Sequence, residues 1–437
     1  METEFKEKHL EDIYGNLYTT SSELSRGGQG VVYRTKEPDI AIKQPIDPQT
    51  GNVATNANQV SYELVRTLPL PSGIPVTLPR ATLKNEPGYV MTLLNGMVPL
   101  SYFDMTGSDK KELANVKHTG WLGSFPEEFK DMADNFAHYI KTGAVKDRFY
   151  YLYRTAAILA RLHSVGIVYG DISTNNIFIN LKNRNSAVWL IDADNLRFEP
   201  TRTYCYTPRI GAPELVQGKG ECSISSDCWA FAVMSYQLLC RQHPFVGALV
   251  NEDGGDWADT DENNLSKEDQ AYAGLLPFVD DEDDDSNRAE SQYCSQIMFT
   301  PQLKKLYQET LGWGRTKQHR RSSMIFWAME MARAHDESLV CEECGMSFLM
   351  NESGKCDYCD HINSYVVAKT KRWRIVIGKK SIKGNLIELP HRLFEPFSLK
   401  EGDKPYYKGT IDFAEKKVVP QRGSLYSDDV EFEFVEV

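Results

Sequence analysis

Apolar and polar residues alternate over 31–43, the two-residue period of a strand pair with one face turned to a core. The spacing turns helical at 58–67, and 76–94 returns to extended runs broken by a turn at 85–88. A small β-rich lobe is expected there. From 126 to 164 the period is helical, closing in 150–163 with apolar residues at i, i+3 and i+4 and a stop at Gly166. Residues 226–240 are apolar nearly all round, as a helix buried on every side must be. Helices resume over 303–334. Residues 365–437 read as short strands, among them 374–377, 386–389 and 430–435, separated by Gly, Pro and Asp turns. No internal repeat is visible.

At 437 residues the chain exceeds one ordinary core, so two or three folding units are expected. Its hydrophobic share of 41% and charged share of 25% are those of a soluble globular protein. No run approaches the roughly 18 apolar residues of a membrane span, and the charged start carries no signal-peptide core. A cytoplasmic address is the expectation. The net charge of −12 is local: residues 251–285 hold fourteen Asp and Glu against one Lys, so the remainder is near neutral. That segment, with its acidic run at 280–285, reads as an exposed insertion, and the overall acidity argues only weakly against nucleic acid.

Two segments carry phosphate-type chemistry. Leu24-Ser25-Arg26-Gly27-Gly28-Gln29-Gly30 is a glycine-rich turn between strands, where missing side chains let backbone N–H groups approach phosphate oxygens. Thirteen residues after Gly30, Lys43 ends an apolar strand, a place from which an ammonium reaches phosphates. A buried lysine needs a carboxylate. Glu63, on the 58–67 helix, is the candidate, with Glu11 or Glu23 as alternatives. The second segment is Tyr169-Gly170-Asp171-Ile172-Ser173-Thr174-Asn175-Asn176, followed sixteen residues after Asn176 by Asp192-Ala193-Asp194.

These segments resemble the catalytic loop, His-Arg-Asp-x-x-x-x-Asn, and the metal-binding Asp-Phe-Gly of the eukaryotic-type protein kinase superfamily. Further resemblances follow in order: Ala212-Pro213-Glu214 with Thr207 seven residues before the Glu, as in Ser/Thr kinases; Asp227 on the central helix; His243-Pro244-Phe245; and Arg321, where the family pairs an Arg with that Glu. The resemblance implies an α+β, bilobal protein-kinase-like fold with a β-rich N-lobe and a helical C-lobe. It implies ATP and Mg²⁺ as cofactors and a protein hydroxyl as acceptor. Asp171 would receive or orient the hydroxyl proton, and Asn176 and Asp192 would hold Mg²⁺. Gly27, Gly28, Gly30, Val32, Ala41, Lys43, Thr92 and Leu94 would surround the nucleotide.

Several positions depart from the family. Gly170 replaces the catalytic-loop Arg, which argues against switching by activation-loop phosphorylation at Thr201 or Thr203. Tyr169 replaces His and Ala193 replaces Phe, an exchange of volume between two positions that stack in the family. Ser173 replaces a Lys, Asp194 replaces a Gly, and Ser25 the first loop glycine. The Gly-Asp-Ile and Ile-Asp-x-Asp variants, with the segments 276–288 and 299–315, are similar to a bacterial YegI-like, tellurite-resistance-associated subgroup. That subgroup is often encoded beside a von Willebrand A-domain protein and a metal-dependent phosphatase, which the resemblance implies as partners.

Cys341-x-x-Cys344 and Cys356-x-x-Cys359, with eleven residues between the inner cysteines, supply four thiolates for a tetrahedral ion. Zn²⁺ in a structural zinc ribbon is expected, with rubredoxin-like iron as the alternative and His361 as a turn residue. The segment is too short for its own core, so metal would supply its folding energy. Cys205, Cys222, Cys228, Cys240 and Cys294 read as reduced thiols. The basic stretch 365–383 reads as a solvated face or one docked against the acidic loop rather than a nucleic-acid site, with Trp373 packed inward. The division is 1–94 N-lobe, 95–337 C-lobe with an acidic insertion near 246–298, 338–364 zinc ribbon and 365–437 a small β-rich domain. Three other readings stay open: a pseudokinase scaffold, a nucleotidyl transferase on the same fold, and a zinc-ribbon nucleic-acid binder.

Overall fold

The computed structural model describes residues 5–27, 30–47, 49–55, 59–182, 187–202, 206–251, 265–289, 295–395, 405–422, 424 and 429–435. Gly28, Thr203, Cys205, Cys294 and residues 252–264 of the acidic segment lie outside them.

The N-terminal lobe is one antiparallel sheet of six strands: β1 (His9–Glu11), β2 (Leu17–Arg26), β3 (Gly30–Thr35), β4 (Ile40–Pro45), β5 (Ala81–Thr82) and β6 (Tyr89–Thr92). Their order is β1-β2-β3-β4-β6-β5. The alternation over 31–43 resolves into β3 and β4, which pair with Val32 opposite Lys43. One helix, α1 (Gln59–Arg66), crosses the sheet and buries Tyr62 and Val65, a spacing of three that sets its inward face.

The second lobe is helical. The Ala144–His163 helix packs along the Met324–Glu337 helix, and Ile224–Cys240 runs through the middle with thirteen buried residues. The Ile224–Cys240 helix starts in a capping box, Ser223 with Ser226, which satisfies end N–H groups that burial would otherwise strand. Gly166 follows the Ala144–His163 helix in the left-handed region, where the sequence predicts the stop.

The run 280–285 is expected to be an exposed loop, and only its last four residues are. Glu282 to Asp285 are exposed, but Asp281 is 6% exposed and accepts from Gln308 Nε2 at 2.9 Å. Asn287 is fully buried, its Nδ2 donating to the carbonyls of Phe245 and Pro277. The acidic run is therefore stitched to the lobe on both sides, Asp281 accepting from a buried amide and Asn287 donating to two carbonyls.

Past Glu337 come the hairpin Ser338–Val340/Ser347–Leu349 and two three-stranded sheets, one of which pairs Arg374–Gly378 with Tyr365–Lys369 and that with Glu431–Val435. These elements are joined to the helical lobe through Asp336. Its buried carboxylate accepts from Trp373 Nε1 at 2.8 Å, from Arg392 at 2.6 and 2.7 Å, and from His335 Nδ1 at 2.9 Å. The Arg392 guanidinium and His335 hold the carboxyl far below the usual range against the cost of burial. The basic stretch docks on acids of its own neighbourhood: Lys369 on Glu431 and Glu433, Arg374 on Glu337.

Candidate active site

Two short antiparallel pairings gather the residues singled out from the sequence. Ile177–Ile179 pairs with Val188–Leu190, and the residues just beyond that ladder, Asn176 and Ile191, share a backbone hydrogen bond of 2.9 Å. Asp192 follows at once. Ile167–Val168 pairs with Arg197–Phe198, so the segments 169–176 and 192–195 leave a common scaffold side by side. Ile167, Val168, Ile177, Ile179, Val188 and Leu190 are all buried, which is why such short strands hold.

Asp171 is 7% exposed. Its Oδ2 accepts from Asn176 Nδ2 at 3.0 Å and its Oδ1 from the Thr207 hydroxyl at 2.8 Å. The backbone beneath is fixed by Asp227, whose carboxylate accepts the N–H of Tyr169 at 2.7 Å and of Gly170 at 2.9 Å, with His163 Nε2 at 3.0 Å. Gly170 sits at φ +82°, in the left-handed region that favours glycine. Tyr169 is buried, with its hydroxyl against the carbonyls of Ile191 and Asn176. The larger ring thus ties the 169–176 loop to the 192–195 loop by a polar contact as well as by volume.

Lys43 is 4% exposed, its Nζ lying 3.1 Å from Asp192 Oδ1 and 3.2 Å from Asp194 Oδ2. Burial alone would lower its pKa, but the two carboxylates outweigh that and raise it. Burial pushes Asp192 up, and Lys43 opposes that while Asp194 adds to it. Asp192 also occupies the left-handed region at φ +54°, a conformation that non-glycine residues adopt at a cost and that clusters at functional sites.

The structure corrects one pairing. Glu63 does not meet Lys43: its carboxylate takes Arg66 at 2.7 Å and the hydroxyl of Thr82, on β5, at 2.8 Å. Glu11 and Glu23 pair elsewhere, with Lys84 and Arg26. The carboxylates serving Lys43 come from the far side of the cleft. Asp194 was recognisable only as a departure from the family pattern, and the requirement that a buried lysine find an acid was the signal that could have found it.

The remaining positions fall as follows. A Cβ on Gly30 would come 2.9 Å from the Gln44 carbonyl and 3.2 Å from Lys43 Cε, so only glycine lets β3 pass over the lysine. Gly27 donates its N–H to the Gly30 carbonyl. Val32 and Ala41 lie on β3 and β4, Ala41 opposite Met91; Thr92 ends β6 and Leu94 follows it half-buried. Asn176 gives Nδ2 to Asp171, and its amide oxygen and the carboxylate of Asp192 are the oxygen donors expected to hold a metal ion. Hard oxygen donors of this kind suit Mg²⁺.

The four cysteines converge separately. Cys341 and Cys359 sulfurs are 3.6 Å apart, Cys344 and Cys356 sulfurs 3.7 Å, and all four lie within 4.8 Å of one another. A disulfide would need about 2.05 Å, whereas a tetrahedron with zinc–sulfur bonds of about 2.3 Å has edges of roughly 3.8 Å. The donor set fits zinc. His361 is not in the group: its carbonyl accepts from Cys356 N, closing the second knuckle as a turn.

Residues 127–323 match the family model described as protein kinase domain. The matched segment holds Asp171, Asn176, Asp192, Glu214 and Arg321, while Lys43 and the glycine-rich turn lie ahead of it and the four clustered cysteines after it. Among curated proteins the chain is similar to serine/threonine-protein kinase kin-29 of Caenorhabditis briggsae, 33% identical over 102 residues, which is 22% of this chain and 12% of that one. It is also similar to protein kinase C-like 1 of Candida albicans, 38% identical over 91 residues, 20% and 8% of the two chains. Protein kinase C delta type of Mus musculus is 36% identical over 91 residues, 20% and 13%. The alignments thus cover about a tenth of the length of these relatives. Among the described residues no helix is long and apolar enough to cross a membrane.

Proposed function

We propose that the chain is an ATP-dependent Ser/Thr protein kinase that moves a γ-phosphoryl group onto a protein hydroxyl, with a structural zinc ribbon attached. The observation that carries this reading is the convergence of Lys43, Asp192, Asn176 and Asp171. They form one continuous set through contacts of 3.1 Å (Lys43–Asp192) and 3.0 Å (Asn176–Asp171), joined by the 2.9 Å bond between Ile191 and Asn176. A Ser/Thr acceptor is supported by Thr207, which braces the carboxylate proposed to receive the hydroxyl proton.

In this mechanism Lys43 would grip the nucleotide phosphates, and Asn176 and Asp192 would hold Mg²⁺, whose charge would offset that of the phosphates. Asp171 orients the incoming hydroxyl and takes its proton, and Asp227 keeps the loop from yielding as it does so. Positioning and fixed charge supply most of the rate enhancement in such chemistry. The subgroup resemblance, carried by Gly170 and Asp194, adds a bacterial, cytoplasmic signalling setting with a von Willebrand A-domain protein and a metal-dependent phosphatase as partners.

The test is transfer of label from γ-labelled ATP with Mg²⁺ to the protein itself or to a general substrate, with Asp192→Ala as control. Transfer abolished by Asp192→Ala supports the reading. Nucleotide binding without transfer would make the chain a scaffold, and label arriving from the α-phosphate would make it a nucleotidyl transferase.

A further inference from the structure

The carboxylate that meets Lys43 from outside the metal-holding set is Asp194, and its setting is built rather than incidental. Its two oxygens lie 3.2 and 3.3 Å from Lys43 Nζ, and Oδ1 accepts from the Tyr89 hydroxyl at 3.2 Å. Tyr89 is 1% exposed and lies opposite Lys43 in the β4/β6 ladder. On its other side the Tyr89 ring packs against Tyr62 of α1 at 4.9 Å between centroids. Tyr62 therefore fills the helix position facing Tyr89, one residue from Glu63, whose carboxylate is committed to Arg66 and to Thr82 at the β5 edge of the sheet. A one-residue step is about 100° on a helix, so Glu63 cannot face the lysine without turning Tyr62 out of the core.

We propose that Asp194, not a residue of α1, is the positioning residue that holds Lys43 for the nucleotide phosphates. This rests on the kinase reading and specifies its geometry. When Asp192 serves a metal ion, Lys43 loses one of its two carboxylates. A buried ammonium cannot be left unpaired at low cost, and Asp194 is the partner that remains. The lysine is thereby tied to the 192–195 loop rather than to the helix. Displacing that loop, not swinging α1, is what disarms it.

The experiment titrates the full-length protein with a fluorescent ADP analogue, once with Mg²⁺ and once with EDTA, and checks the fold of each variant by circular dichroism. Asp194→Asn should weaken binding by at least about ten-fold, which is about 1.4 kcal/mol, while Glu63→Gln changes it less than about two-fold. Asp194→Glu, which keeps the charge and serves if Asp194→Asn does not fold, should stay within about five-fold of the parent. The decisive variant moves the charge: Tyr62→Glu with Asp194→Gly should recover most of the affinity that Asp194→Gly alone loses. A merely structural role for Asp194 would not be rescued from α1. Unchanged affinity in Asp194→Asn, an equal loss in Glu63→Gln, or no rescue by the charge move overturns the assignment. If the parent protein binds no nucleotide, both this assignment and the kinase reading fall. If the affinities follow the stated pattern but no γ-phosphate moves, only the transfer reading falls.

Discussion

The guanidinium of Arg321 grips the carboxylate of Glu214 with both terminal nitrogens, at 2.7 and 2.8 Å, across 107 residues of chain. Each is 8% exposed, and the Arg321 side chain also donates to the carbonyls of Gly314 and Ser225 and stacks over Trp229. Removing one partner of such a pair strands a buried charge, which costs about 3–5 kcal/mol. Arg321→Ala should lower the stability measured by urea unfolding by that amount. Arg321→Lys, which loses the bidentate fork, should fall between. An Arg321→Ala midpoint equal to the parent's would mean that the pair does not hold the segment 207–214.

Tyr169 should matter in two separable ways. Its ring is buried among the helical-lobe core, so Tyr169→Ala should cost about 3–5 kcal/mol through the cavity it leaves. Tyr169→Phe keeps the ring and removes only the hydroxyl that meets the Ile191 carbonyl, a loss of about 1–3 kcal/mol if that carbonyl stays dry. Proteolysis or hydrogen exchange should locate the Phe variant's loosening in 191–196. Loosening spread evenly over the lobe would count against the hydroxyl as the link between the two loops.

The two-lobed kinase-like fold and the order of its parts were legible because they rest on local signals: the period change near 126, the Gly166 stop, and the spacing from Asp171 to Asn176 and Asp192. The partner of Lys43 was not. Sequence placed an acid on a nearby helix, but which side of α1 faces inward is decided by the packing of Tyr62 on Tyr89, a contact between residues 27 positions apart in the chain. The Asp336 hub was hidden for the same reason. Nothing local marks an aspartate at the end of a helix as the acceptor for Trp373 and Arg392, since those donors come from turns 37 and 56 residues further along the chain. The acidic run 280–285 misled in the opposite direction: charge density suggests solvent, yet Asp281 is taken inward by Gln308.

Metal content offers a direct check on the cysteine cluster. The protein as purified should carry about one zinc per chain by mass spectrometry of metals, and Cys344→Ser should reduce that well below one. The Tyr358 ring lies 5.8 Å from Trp121 and 6.3 Å from Phe136, so the second knuckle is packed on the helical lobe. Stripping the ion with a strong chelator should therefore lower the melting temperature of the whole chain, not only unfold the ribbon, because the packed face is lost with the metal-held turn. One iron per chain in place of zinc, or no change in melting on chelation, would reject the structural zinc assignment.

His335 sets an acid limit on stability. It is 7% exposed, its Nδ1 is committed to Asp336 and its Nε2 has no partner. Burial lowers its pKa to about 4, with Lys146 and Arg392 adding to that and Asp336 opposing. The folded protein thus keeps this imidazole neutral over a range in which the unfolded chain, titrating near 6.5, binds a proton. The stability it protects is fully present above about pH 6.5, is lost as pH falls toward 4, and the slope is at most about 1.4 kcal/mol per unit. Unfolding by urea at pH 7.5, 6, 5 and 4.5 should show this decline, and His335→Asn, which retains a donor toward Asp336 but cannot titrate, should flatten it. Equal slopes in the parent and His335→Asn would assign the acid sensitivity to other groups and remove His335 from the account.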